Sequence, residues 1–117
     1  MLIKFDNGTE VEFNVYDAET ADIYDSFLKS VTEASEKLET MVNEAPGDSI
    51  RLMFGVIIDG CDALFGSGMG NKICGERPDM KVALTVFGKI RESQDIQVDE
   101  ITKLGNMSIK KYGGSDA

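Results

Sequence analysis

Between Ser49 and Gly66 the chain reads Ile50-Arg51-Leu52-Met53-Phe54-Gly55-Val56-Ile57-Ile58-Asp59-Gly60-Cys61-Asp62-Ala63-Leu64-Phe65. Wound as a helix, this stretch is apolar around nearly its whole circumference. Such a helix is stable only when other elements cover it, so the segment predicts that the rest of the chain is arranged around it. Asp48 or Ser49 is placed to cap its start. Gly55 and Gly60 each weaken a helix by about 1 kcal/mol relative to alanine, which argues that close neighbours require them.

The flanking segments have the periods needed to cover it. Residues 1–15 alternate, with Ile3, Phe5, Val11, Phe13 and Val15 apolar around Asp6-Asn7-Gly8-Thr9. That pattern predicts a hairpin. A two-residue Asn7-Gly8 turn would oppose Phe5 to Glu10, so an odd loop over residues 7–9 is expected, pairing Phe5 with Val11, Ile3 with Phe13 and Lys4 with Glu12. A lone hairpin is marginal and must lie on a helix or join a partner's sheet. From Asp17 the period becomes 3.6, with Tyr24, Phe27, Leu28, Val31, Ala34, Leu38, Met41, Val42 and Ala45 on one face. Asp17 or Thr20 can cap this long helix, and Pro46-Gly47 is expected to end it and send the next helix back alongside.

Downstream, four of the 12 glycines fall within Gly66-Ser67-Gly68-Met69-Gly70-Asn71-Lys72-Ile73-Cys74-Gly75. A further amphipathic helix is expected from Asp79 through Ile90, and a last one from Asp95 through Leu104, stopped by Gly105. The predicted fold is therefore α+β and mostly α, an N-terminal hairpin followed by about four helices, the second being the buried core. Residues 1–105 form one globular domain, and 106–117 a flexible C-terminal tail with little to bury.

Charge and composition remove whole classes of function. The chain has 117 residues, 21 acidic and 12 basic, for a net charge of -9, which argues against a phosphate-binding surface and hence against nucleic acid. It has no histidine, so Ser-His-Asp and Cys-His chemistry and most zinc sites are out of reach. The opening Met1-Leu2-Ile3-Lys4-Phe5-Asp6 is unlike a signal peptide, and no apolar run reaches the roughly 18 residues of a membrane span, so a cytoplasmic protein is expected. There Cys61 and Cys74 should stay reduced as structural thiols rather than form a disulfide or metal site. Residues 1–66 hold 14 acidic and 4 basic groups, whereas residues 67–117 hold 7 and 8. That asymmetry suits either a solvated acidic face or oriented association.

The glycine-rich stretch invites a phosphate-loop reading, and the spacing defeats it. A Walker loop requires GxxxxGK[ST] after a strand, but Asn71 separates Gly70 from Lys72 and the preceding segment is helical. The dinucleotide fingerprint G-x-G-x-x-G is missed as well, because the spacing is G-x-G-x-G. What remains is a helix stop with backbone positions suited to positive φ, or a partner-binding loop formed by Gly66, Ser67, Gly68, Met69, Asn71, Lys72 and Ile73. Asp59 with Asp62, and Asp95 with Asp99, are spaced for acid–base or metal work, yet nearby Arg and Lys residues make simple pairing the plainer role. No catalytic residue, cofactor or metal is therefore assigned.

The run from Ile58 to Gly75, followed by a helix from Asp79, resembles the tail assembly chaperones of long-tailed bacteriophages and prophages. In that family an apolar helix carrying an Asp ends in Phe-Gly-x-Gly, leads to a Lys-Ile-aromatic-Gly turn, and continues into an amphipathic helix. Phe65, Gly66, Gly68, Lys72, Ile73 and Gly75 fit the pattern, while Ser67 stands where an acid is expected and Cys74 where an aromatic is expected. The resemblance implies a non-catalytic helper in virion assembly. It would keep the tape-measure protein soluble while tail tube protein polymerises, and would self-associate. It also implies a second, longer form made by ribosomal frameshifting near Lys110-Lys111. The alternative, motivated by the net charge of -9, is an acidic DNA mimic that inhibits a nuclease or repressor.

Overall fold

The computed structural model describes the backbone of residues 1–111 and the side chains of residues 1–107. Strands β1 (Leu2–Lys4) and β2 (Glu10–Glu12) form an antiparallel hairpin. Helices α1 (Ala18–Met41), α2 (Pro46–Phe65), α3 (Met69–Cys74) and α4 (Met80–Lys111) follow. The architecture is the expected one, α+β and mostly α.

In the hairpin Ile3 pairs with Val11 and Lys4 with Glu10, two residues away from the expected register. The Phe5 amide donates to Thr9 O and the Gly8 amide to Phe5 O, each at 2.9 Å, so the three-residue loop is 6–8 and not 7–9. Gly8 decides this, because its φ of 89° closes the loop in a conformation that side chains disfavour. Strand side chains alternate with period two, so a two-residue shift leaves the faces unchanged. Ile3, Phe5, Val11 and Phe13 are all buried.

Asp17 caps α1, its Oδ2 accepting from the Thr20 amide at 3.0 Å. Tyr24, Phe27, Val31 and Ala34 form the buried stripe. The helix ends at Met41, short of Ala45, since the residue before a proline avoids helical angles and Ala45 sits at φ -140, ψ 70. Pro46 then opens α2, where its missing N–H costs nothing. Neither Asp48 nor Ser49 is therefore the cap. Ala45 takes that position, and the fully buried Ser49 donates its hydroxyl to Ala45 O at 3.0 Å.

Helix α2 is the centre of the molecule and packs against α1, α3 and α4. Ile57 and Cys61 are fully inaccessible, and Met53, Phe54 and Gly60 are buried beside them. A Cβ on Gly60 would lie 2.2 Å from the Phe27 ring, so glycine lets α1 close on α2 there. A Cβ on Gly55 would meet nothing within 4 Å, and the packing reason expected of both glycines holds for Gly60 alone.

Two helices were expected after residue 79, but α4 is continuous through the intervening residues and through Gly105. Ser93 and Gln97 join Ala83, Val86, Phe87 and Ile90 on its buried face, which binds the two predicted segments into one. Residues 106–111, expected in a flexible tail, belong to this helix, and the remainder of that expected tail, 112–117, lies outside the described residues. From Val98 to Met107 every residue is exposed, and α4 projects beyond the body to give overall extents of 59 × 31 × 21 Å. Among the described residues no helix is long and apolar enough to cross a membrane.

Candidate functional site

The turn after α2 is built by its glycines. Gly66, at φ 115, ends the helix and returns its amide to Asp62 O at 2.9 Å, and Gly68, at φ 85, starts α3. Gly70 is buried against α2, where a Cβ would come within 2.5 Å of Ile58 O. The Asp62 carboxylate, one turn before the end of α2, accepts from the Gly70 amide at 2.6 Å. It therefore fills the N-terminal position of α3 that a phosphate would need.

The other end of α3 is held by the hairpin loop. Asn7 Nδ2 donates to Lys72 O at 2.9 Å and to Ile73 O at 3.0 Å, and the Thr9 hydroxyl donates to Lys72 O at 3.3 Å. Asn71 Nδ2 closes the turn by donating to Gly75 O at 3.1 Å. Beneath it, Phe65 meets Phe13 edge-on at 6.0 Å. The segment read from sequence as a loop is thus a short helix clamped at both ends.

Of the proposed contact residues, Gly66, Ser67, Gly68, Asn71 and Lys72 are exposed and Met69 is half-buried. Ile73, only 3% exposed, turns into the core with Cys74 and is not available on this surface. The carboxylate pairs do not converge. Asp62 is spent on Gly70, Asp59 and Asp95 are exposed, and Asp99 pairs with Lys103 at 3.0 Å along α4. Among the described residues no group of three or more acidic or cysteine side chains is placed to hold a metal ion.

A second surface lies at the far end of α4. Ile101 and Leu104 follow Gln97 at four and seven residues, continuing the buried face past the point where the body covers it. They are 40% and 56% exposed, with Val98 beside them at 42%. Gln97 marks where the body ends. Its side chain accepts from the Val15 amide at 3.0 Å and donates to Phe13 O at 2.9 Å and to Ser93 Oγ at 3.0 Å. Sequence reasoning missed Gln97, whose signal is its place seven residues after Ile90 on the apolar stripe.

These features define a small hairpin-and-helix protein with a clamped glycine turn at one place and an uncovered apolar helix face at another. The chain belongs to the family of unknown function DUF6673, whose model matches residues 7–117. No curated protein and no solved structure matches it.

Proposed function

We propose that the chain is a non-catalytic tail assembly chaperone of a phage or prophage, which binds the tape-measure protein in the host cytoplasm and keeps it soluble during tail morphogenesis. The observation that carries this reading is the uncovered face of α4, where Val98, Ile101 and Leu104 offer a helical apolar surface on an otherwise acidic protein. A long helical client can be held reversibly by such a face. The net charge of -9 keeps the complex soluble. The exposed turn Gly66–Lys72 supplies a second contact, and the same surfaces serve self-association and tail tube protein.

The test is co-expression with the longest open reading frame downstream in its gene neighbourhood, followed by pull-down. Retention of a long helical partner by the wild type, and its loss with Ile101→Glu/Leu104→Glu, is the expected result. Failure to retain any such partner removes the reading. A slippery heptamer upstream of an overlapping frame is expected near the Lys110-Lys111 codons, and its absence rules out a longer form.

One observation favours the acidic-mimic alternative. Asp22, Asp25, Glu33, Glu36 and Glu39 are all exposed along α1. Salt-sensitive competition with duplex DNA for a nuclease or repressor would support that role. The slight basic excess of residues 67–117 ranks it second.

A further inference from the structure

Of the five asparagines, at positions 7, 14, 43, 71 and 106, only Asn7 precedes a glycine. That step is the most open to deamidation, because Gly8 has no Cβ to hinder attack of its amide nitrogen on the Asn7 side chain. The structure engages every group that the reaction uses. The Gly8 amide donates to Phe5 O at 2.9 Å, and Asn7 Oδ1 accepts from the Thr9 amide at 3.1 Å. Asn7 Nδ2, the leaving group, donates to Lys72 O at 2.9 Å and to Ile73 O at 3.0 Å. Those carbonyls belong to the last turn of α3, where a helix has no amides of its own left to offer. Asn7 is itself exposed, so water reaches it, and hydrogen bonds rather than burial hold it in place.

We propose that Asn7 is a deamidation site guarded by the fold: docked on α3 it does not react, and its reaction during an opening of the hairpin loop loosens the end of α3 irreversibly. This holds whatever the chain binds. In the open loop hydroxide removes the Gly8 amide proton and the nitrogen attacks Asn7 Cγ. The Cγ–Nδ2 bond breaks, and Nδ2 takes a proton from water and leaves as ammonia, closing a cyclic imide. Water then opens the ring at either carbonyl, giving aspartate or isoaspartate. In total, one amide and one water give one carboxylic acid and one ammonia. The product has no donor to return to α3, since an ionised carboxylate only accepts, and it would face the Lys72 and Ile73 oxygens. Isoaspartate also lengthens the backbone of a loop that Gly8 closes at φ 89°. The Thr9 hydroxyl, 3.3 Å from Lys72 O, and the Asp62 carboxylate on the Gly70 amide are then the side-chain holds that α3 keeps among the described residues.

The full chain, folded and in denaturing urea, is incubated at mildly alkaline pH and digested with trypsin. The peptide from Phe5 to Lys29 is followed for the amide-to-acid mass gain, with fragment ions separating Asn7 from Asn14 and aspartate from isoaspartate. Conversion at Asn7 is expected in urea, and at least about tenfold more slowly in the folded chain, since losing two hydrogen bonds sets the open loop roughly a decade below the closed one in population. Thr9→Val, which removes a bond to Lys72 O and leaves Asn7 in place, should react faster than the folded wild type. Asn7→Asp, the product made directly, should exchange the amides of Ile73 to Gly75 faster than the wild type while those of α2 keep their rate. Equal conversion folded and in urea, a Thr9→Val rate equal to the wild type, or unchanged exchange at the end of α3 overturns the proposal. Should either variant fail to fold, the wild-type rates decide alone.

Discussion

Gln97 shows how much one polar side chain can hold. It satisfies the Val15 amide, which has no ladder partner in the hairpin, and adds a second donor to Phe13 O beside the Met1 ammonium. Gln97→Ala should cost about 1–3 kcal/mol in urea unfolding, because the Val15 amide is then left unpaired in the interior. The glycines divide by what they meet. Gly70→Ala places a Cβ 2.5 Å from a backbone oxygen that cannot yield, and Gly60→Ala places one 2.2 Å from a phenylalanine ring that can turn. Overpacking of this kind costs roughly 1–3 kcal/mol, and thermal unfolding should put Gly70→Ala at or beyond the upper end of that range. Tyr24 adds a pH dependence. Burial raises its phenol above the ordinary 10.0, with Arg91 opposing, so the stability of its neutral form is complete below pH 10.0 and is lost as pH climbs through the raised value. Melting curves on either side of pH 10.0 should therefore lie farther apart in the wild type than in Tyr24→Phe.

Among the elements, α4 differs most from its sequence reading, and it does so for an electrostatically neutral reason. The stretch between Ile90 and Asp95 has no apolar residue to continue the stripe, so the periodicity breaks there, yet Ser93 and Gln97 are buried through hydrogen bonds. Past Gln97 the apolar face has no tertiary cover, and the helix rests on its own backbone, on pairs such as Asp99–Lys103 and on the Tyr16 hydroxyl, which donates to the Glu100 carboxylate. Ile101→Glu/Leu104→Glu should consequently change global stability by no more than about 0.5 kcal/mol, measured by denaturant midpoint, while abolishing partner capture. A large loss of stability would mean that this face is covered within the same chain. The hairpin behaves in the opposite way. Its inner face was legible from alternation, but its register depended on the left-handed position of Gly8, which a period-two pattern cannot distinguish from a neighbouring turn.

At the scale of the whole molecule, α4 sets the shape. A compact chain of this length would have a radius of gyration of about 13 Å. The observed value is 17.2 Å, and small-angle scattering should reproduce that elongation, whereas a value near the compact one would place the end of α4 against the body. Elongation also separates the charges. The acidic excess of residues 1–66 covers the hairpin and the first two helices, and the nearly neutral remainder carries the turn and the projecting helix.

The sequence by itself determined the fold class, the central position of Ile50–Phe65, the glycine stop at Gly66 and the two faces of the hairpin. All of these follow from periodicity and backbone conformation within a few residues of chain. Tertiary structure alone decided that Asp62 and Asn7 clamp α3 and that Gln97 fuses two predicted helices into one. Those outcomes depend on which buried donors and acceptors are left over once the elements pack, and that accounting spans as many as 84 positions of sequence.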